Sequence, residues 1–159
     1  MDKLMGLSKG QKLILGGSVL LFIDTFLPWQ SWSYGPLSAS WNAWHGFWGV
    51  VMCLLVIVLL LWAGARAFGV ALPVNVPAGL TTLALGGLVF LFALLKTLIE
   101  SHRGWASWVG IILAAGVAVG AWFSFQDSGE SLPKVATAGA PAPPAPAPPV
   151  EPEKPADPS

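Results

Sequence analysis

Charged residues are scarce in this sequence of 159 residues. They make up 10% of it, while hydrophobic residues make up 55%; soluble domains usually carry about 25% charged residues. Eight basic residues balance eight acidic ones, so the formal net charge is zero. A chain without a basic excess has no electrostatic basis for binding nucleic acid. A chain this apolar is also not an ordinary soluble domain.

Cysteine is nearly absent as well. The single residue, Cys53, lies inside an apolar run, which excludes an intrachain disulfide and a cysteine-based metal site. The two histidines belong to no short-range ligand motif such as HxxxH or HxxE. The sequence also lacks a GxSxG nucleophile motif and a glycine-rich phosphate loop. We therefore predict a protein that is not an enzyme and that has no metal and no cofactor.

Long apolar segments are what the sequence does contain. Three charge-free runs, at residues 47–65, 78–95 and 105–125, are long enough to cross a bilayer as helices. A weaker apolar segment with Asp24 near its end precedes them. Because no small-residue cleavage site closes that segment, we interpret it as a membrane helix and not as a signal peptide. The expected fold class is all-α: a polytopic membrane protein with four transmembrane helices at about residues 10–28, 41–65, 78–99 and 105–126, forming a domain over residues 1–126.

Short connections predict how these helices are arranged. Only about residues 100–104 join the third helix to the fourth, so neighbouring helices should run antiparallel in an up-and-down bundle. Lysine and arginine near the helix ends set orientation. Lys3, Lys9, Lys12, Arg66 and Lys134 fall on one side, whereas Arg103 falls on the other. The sequence thus predicts a multi-pass membrane protein with cytoplasmic N- and C-termini.

The C-terminal region, residues 127–159, has a different composition. It has no aromatic residue and holds most of the 14 prolines. Such a segment cannot bury enough apolar surface to fold, and it favours polyproline II. We predict a disordered, Pro/Ala-rich cytoplasmic tail. It is either a solvated spacer or a ligand for a proline-recognising groove.

Tryptophan occurs nine times, mostly near predicted helix ends on the outer side. We predict an outer aromatic belt at headgroup depth, or rings that stack on sugars or lipid headgroups. Within it, Trp41, Trp44, His45 and Trp48 have the spacing of one helix face, so residues 41–49 should begin the second helix and residues 28–40 should form a loop. The predicted belt consists of Trp29, Trp32, Tyr34, Trp41, Trp44, Trp48, Trp105 and Trp108.

Two charged residues within predicted helices are candidates for a functional site. A carboxylate inside a membrane helix is costly and usually faces the bundle interior or water. Asp24 and Lys96 lie at a similar depth, near the outer ends of their helices. We predict that they form an interhelical pair. The alternatives are a local Lys96–Glu100 pair at i,i+4, a Lys96 side chain that snorkels to the interface, and an Asp24 that is hydrated from the outer surface.

Other polar and small residues complete the candidates. His45, Glu100, His102 and Arg103 should form an outer polar group that makes interfacial hydrogen bonds. Gly116 and Gly120 form a GxxxG motif, which is typical of close helix packing. Because such faces pack within one chain or between chains, a homo-oligomer is left open.

The layout resembles small four-helix membrane proteins of unknown function from high-GC Gram-positive bacteria. The residues behind this resemblance are "FLPWQ" after the first helix, "NAWHGFWG" at the start of the second, and the Pro/Ala-rich tail. The resemblance implies a bacterial plasma membrane, but no activity and no functional residues.

From the sequence we expect a non-enzymatic scaffold or accessory subunit of the cell envelope. Its partners would be the lipid bilayer and a membrane or envelope protein, contacted through the outer Trp-rich surface and the tail. The alternative is an oligomeric transporter or a proton- or ion-conducting protein that uses Asp24.

Overall fold

The computed structural model describes residues 6–70 and 76–132. These residues form four α-helices and one two-stranded sheet: α1 Lys9–Asp24, β1 Gln30–Tyr34, β2 Leu37–Trp41, α2 Phe47–Ala67, α3 Ala78–Ile99 and α4 Trp105–Asp127. The helices α2, α3 and α4 are long and apolar enough to cross a membrane, which indicates a membrane protein. Most of the predicted tail, residues 133–159, lies outside the described residues.

Helix α1 begins with a capping box and ends earlier than expected. The Ser8 hydroxyl accepts from the Gln11 amide at 3.3 Å, and the Gln11 side chain accepts from the Ser8 amide at 3.1 Å. The helix ends at Asp24 and not at residue 28. A proline disfavours helical backbone in the residue before it, so Pro28 prevents the helix from continuing. At the end of the helix, the Thr25 hydroxyl donates to the Phe22 carbonyl at 2.6 Å.

A β-hairpin replaces the loop expected over residues 28–40. Strands β1 and β2 pair antiparallel from Tyr34↔Leu37 to Gln30↔Trp41. The two residues between them are Gly35 and Pro36, and Gly35 has a φ of 58°. Glycine at the first central position is the signature of a type II′ turn, whose twist suits a two-residue hairpin.

Helix α2 starts at Phe47, six residues later than expected. Trp41 ends β2, and the next residues turn: the Asn42 side chain accepts from the Trp44 amide at 3.2 Å, and the Asn42 carbonyl accepts from the His45 amide at 3.3 Å. Gly46, with a φ of 79°, precedes the helix. The helix-face interpretation of Trp41, Trp44 and His45 was therefore wrong. By contrast, α3 covers the residues expected of it, and α4 extends one residue further.

Each helix packs against two others. Helix α1 contacts α2 and α4, and α3 contacts the same two helices. The core between them is apolar and contains many small side chains. Gly120 lies on such a close contact, since an added Cβ would fall 2.8 Å from Leu13 Cβ, whereas one on Gly116 would meet nothing within 4 Å. Of the GxxxG pair, only Gly120 packs closely.

Candidate functional site at the hairpin end

The hairpin is fixed to the connection between α3 and α4. The Ser31 amide donates to the His102 carbonyl at 3.0 Å, and the Gly104 amide donates to the Trp29 carbonyl at 2.7 Å. An isolated β-bridge joins Gln30 and Arg103 between these two bonds. We call the part of the molecule that holds residues 25–46 and 100–104 the hairpin end. The other part, where α1 begins and α4 ends, is the opposite end.

A buried lysine joins three chain segments at the hairpin end. Lys96 is 1% exposed, and its ammonium donates to Glu100 Oε2 at 2.7 Å and to the His45 carbonyl at 2.7 Å. The Gln30 side-chain amide donates to the same Glu100 oxygen. A buried charge is tolerated when it is paired and hydrogen-bonded. This network therefore holds β1 and the residues just before α2 against α3.

The expected Asp24–Lys96 pair is not formed in this structure. The local alternative is present instead: Lys96 is bound to Glu100, which lies one turn further along the same helix. Asp24 is 2% exposed, and neither of its carboxyl oxygens has a hydrogen-bond partner among the described residues. The Ser18 hydroxyl, also on α1, is unpartnered in the same way. Helix α1 thus directs into the interior two polar side chains that have no hydrogen-bond partner among the described residues.

Trp29 closes the interior above Asp24. It is 1% exposed, so it does not belong to the predicted belt. Its indole N–H donates to the main-chain carbonyl of Asp24 at 2.9 Å. The ring lies against Gly110 of α4, where an added Cβ would overlap the ring and fall 2.7 Å from Asp24 Oδ2. The sequence signal near this residue is Pro28, which directly precedes Trp29 and prevents the helix from continuing.

The other aromatic residues of the predicted belt divide into two groups. Trp44 and Trp48 are half-buried, and the Trp44 indole donates to the Thr25 hydroxyl at 3.3 Å. Tyr34 is 76% exposed and stacks on Trp32 with ring centroids 6.3 Å apart, while Trp41 stacks on His45 at 5.6 Å. The residues of the belt that are exposed are Trp32, Tyr34, Trp41, Trp105 and Trp108.

The two faces of the hairpin differ in chemistry. Side chains alternate between faces along a strand, and the register fixes which residues share one. One face, which we call the aromatic face, carries Gln30, Trp32, Tyr34, Leu37, Ala39 and Trp41. The other, the serine face, carries Ser31, Ser33, Ser38 and Ser40. The alternation in "QSWSY" and "LSASW" is a strand signal, although residues 28–40 were predicted to form a loop.

The remaining predicted polar residues gather at this end through their backbones. The side chains of His45 and His102 are exposed, and each residue enters the network by its carbonyl. Arg103 donates from Nε to the Thr97 carbonyl at 2.7 Å. Within residues 6–70 and 76–132, no group of three or more His, Cys, Asp and Glu side chains could hold a metal ion.

Two small cavities lie between the helices, at opposite ends. Their volumes are about 20 and 10 Å³, close to the roughly 10–15 Å³ that one water molecule requires. Asp24 lines neither of them. The first is lined by Gln11, Ile14, Leu15, Ala63, Arg66, Thr82 and Ser124, and the second by Trp29, Gln30, Lys96, Thr97, Glu100, Arg103 and Ser107.

No family model matches this chain, and no curated protein or solved structure matches it either.

Proposed function

We propose that this protein is a non-enzymatic integral membrane protein, a scaffold or accessory subunit of the cell envelope that presents its hairpin as a contact surface. The observation that carries the proposal is the way the hairpin is held. Main-chain bonds to residues 102–104 and the network around Lys96 fix it in place, while the aromatic face stays open. A preorganised surface with exposed aromatic rings suits binding, because little conformational entropy is lost on contact.

All four helices span the membrane in this proposal, as an up-and-down bundle. Helix α1 has 16 residues, about 24 Å at 1.5 Å per residue, somewhat less than the roughly 30 Å of a bilayer core. A local thinning of the bilayer accommodates such a difference. The contacts of α1 with α2 and α4 support a place within the bundle. So do its exposed apolar residues, Leu13, Leu20 and Ile23, which suit lipid better than water.

Cysteine labelling tests the topology. Both termini are proposed to be cytoplasmic, with the hairpin outside the cell. Ser33→Cys on β1 should react with an impermeant maleimide added to intact cells, and Ser131→Cys should react only after lysis. The wild-type chain is the control, since its Cys53 is buried. Labelling of position 131 but not of position 33 in intact cells would reverse the orientation.

Photo-crosslinking tests the contact role. A photoreactive phenylalanine at Tyr34 lies on the aromatic face, and one at Phe68 is similarly exposed at the opposite end. We expect adducts with a membrane or envelope protein from position 34 and none of the same mass from position 68. Equal adducts from both positions, or only lipid adducts from position 34, would contradict a contact role for the hairpin.

A second candidate function is proton or cation movement through Asp24 in an oligomer. It is favoured by one observation, the buried carboxyl group whose two oxygens have no partner among the described residues. Intramembrane acids of this kind often serve proton or ion pathways. The test is flux into vesicles that contain the purified protein. Loss of flux in Asp24→Asn but not in Asp127→Asn, which alters an exposed acid, would establish this function over the first.

A further inference from the structure

The outer edge of β2 pairs with no other strand in the described part of the chain. The pair Tyr34↔Leu37 closes a two-residue turn, so Leu37, Ala39 and Trp41 direct their main-chain groups at β1. The N–H and C=O groups of Ser38 and Ser40 then point away from β1. In the described part of the chain, no residue outside the hairpin hydrogen-bonds to these groups. The edge of β1 differs, because the α3–α4 connection covers its first residues.

This edge also lacks the devices that usually protect an open strand. Such strands tend to carry charged residues, an internal proline or a bulge. Residues 37–41 read Leu-Ser-Ala-Ser-Trp, and no charged residue occurs between Asp24 and Arg66. Two identical edges can therefore approach without charge repulsion. Pro36 stands just before the strand and limits how far a pairing could extend.

The sequence of β2 is complementary to itself when read antiparallel. We propose that β2 pairs with β2 of a second copy of this chain, in a register centred on Ala39. Ser38 of each copy then faces Ser40 of the other as a hydrogen-bonded pair, using the groups that are now unpaired. Ala39 faces Ala39 of the other copy as a non-hydrogen-bonded pair. Cα atoms in such a pair approach to about 4.5 Å, and a small side chain fits there. Leu37 faces Trp41 on the aromatic face, and the serines meet on the serine face.

The symmetry of this pairing determines how the two copies are oriented. The twofold axis passes through Ala39 perpendicular to the sheet, so both copies show their aromatic faces on one side of a continuous four-stranded sheet. Two copies in one membrane keep the same orientation only when this axis runs along the membrane normal, so the pairing requires the hairpin sheet to lie parallel to the membrane plane. The inference rests on the proposed function in one respect, since the hairpins of all copies must lie on one side of the membrane.

Disulfide trapping in native membranes tests the register. Ala39→Cys places two thiols at the non-hydrogen-bonded centre of the interface, within the Cα separation that a disulfide accepts. We expect most chains to form a dimer under mild oxidant, at least about tenfold faster than Ser33→Cys, because proximity raises the effective thiol concentration. Ser33 is an exposed serine of the same hairpin, but it lies on β1. The wild-type chain, with Cys53 only, should give no dimer.

A proline substitution separates edge pairing from random collision. Ser40→Pro removes an N–H that points away from β1, so the hairpin itself should persist. In Ala39→Cys/Ser40→Pro, trapping should fall to the rate of Ser33→Cys. Equal rates for Ala39→Cys and Ser33→Cys, a disulfide to a different protein, or trapping that the added Ser40→Pro change leaves unaltered would each overturn the proposal. Maleimide labelling of Ser33→Cys reports the membrane side separately, so a failed dimer and a failed topology are distinguishable.

Discussion

The two ends of the helical domain fix their connections by different physics. At the hairpin end, a buried ammonium group binds a carboxylate and a carbonyl, and a buried tryptophan covers the interior. At the opposite end, the exposed chain after α4 reaches α3, where the Glu130 carboxylate accepts from the amides of Gly79 and Leu80 at 3.1 and 2.8 Å. A buried charge is strongly destabilising once its partner is lost, whereas water and salt weaken an exposed contact.

Helix α3 takes part in both arrangements, and its dipole explains their polarity. A carboxylate lies at its N-terminus and an ammonium group lies in its last turn. These are the ends at which negative and positive charges stabilise a helix. The two ends therefore share one electrostatic rule and differ in how far water screens it. The difference can be tested by removing one element at a time.

The largest effect is expected at Glu100. In Glu100→Gln the buried Lys96 ammonium loses its counter-charge and keeps the His45 carbonyl. The free energy of unfolding should fall by about 3 kcal/mol, the lower part of the range for a broken buried pair, because the Glu100 side chain is partly exposed. Denaturant unfolding in detergent micelles measures this loss.

A double-mutant cycle is the control for this prediction. Lys96→Met removes the buried charge, so Lys96→Met/Glu100→Gln should be less destabilised than the sum of the two single variants. Additive losses would mean that the pair contributes no coupling energy. In that case the hairpin end would be no more dependent on buried charge than the opposite end.

The next effect concerns the contact between Trp29 and α4. Gly110→Ala should lower the free energy of unfolding by about 1–3 kcal/mol, the usual cost of overpacking, because the new methyl group overlaps the indole ring and approaches Asp24. Gly116→Ala is the matched control on the same helix. Its Cβ meets nothing within 4 Å, so higher helix propensity should leave it neutral or more stable. Equal destabilisation of both variants would remove Trp29 as the cause.

The membrane-length helices were predictable from sequence because their signal is a long apolar run that tertiary contacts do not alter. Residues 78–99 form a helix with the expected bounds. The hairpin was not predicted, because the alternation of Ser with Trp, Tyr and Leu is short, and Gly35-Pro36 was interpreted as part of a loop. The same region also contains Trp41, Trp44, His45 and Trp48, which have the spacing of one helix face. The sequence there fits both the period of a strand and the period of a helix.

The residues of the candidate site were easier to select from the sequence than the contacts between them. Lys96, Glu100 and Asp24 all lie near the hairpin end. Depth alone cannot select a partner, however. The i,i+4 geometry within α3 gives Lys96 a carboxylate without bringing two helices together. Asp24 lies next to Trp29, which is buried because the backbone turns after α1. Hydrophobic periodicity does not predict such a turn.

A gain in stability is expected from replacing Asp24. Its carboxyl oxygens have no hydrogen-bond partner among the described residues, whereas the Lys96 ammonium has two. Asp24→Leu should raise the free energy of unfolding by about 1–2 kcal/mol, because an unpartnered buried polar group is costly. The same micelle unfolding assay measures it. Ser18→Ala, which removes the other unpartnered group on α1, should also be neutral or stabilising. If Asp24→Leu is destabilised while Ser18→Ala is not, the carboxyl group has a bound partner, which would favour the proton or cation role.

The smallest effect is expected at Glu130 and should depend on pH. Hydrogen bonds from the backbone amides of Gly79 and Leu80 hold the pKa of this carboxyl group below its ordinary value. A lowered pKa means that the ionised form is favoured by the fold, so the contribution is present above the unfolded pKa of about 4.3 and is lost as the pH falls through the folded value. Glu130→Gln should therefore be slightly less stable than the wild type at pH 7, and the difference should shrink as the pH falls below the unfolded pKa. Added salt should reduce the difference at pH 7, whereas the loss in Glu100→Gln should persist in salt. If the difference in the free energy of unfolding between Glu130→Gln and the wild type is unchanged at pH 3, the side chain acts through packing or neutral hydrogen bonds. The two ends would then not differ in their response to water and protons.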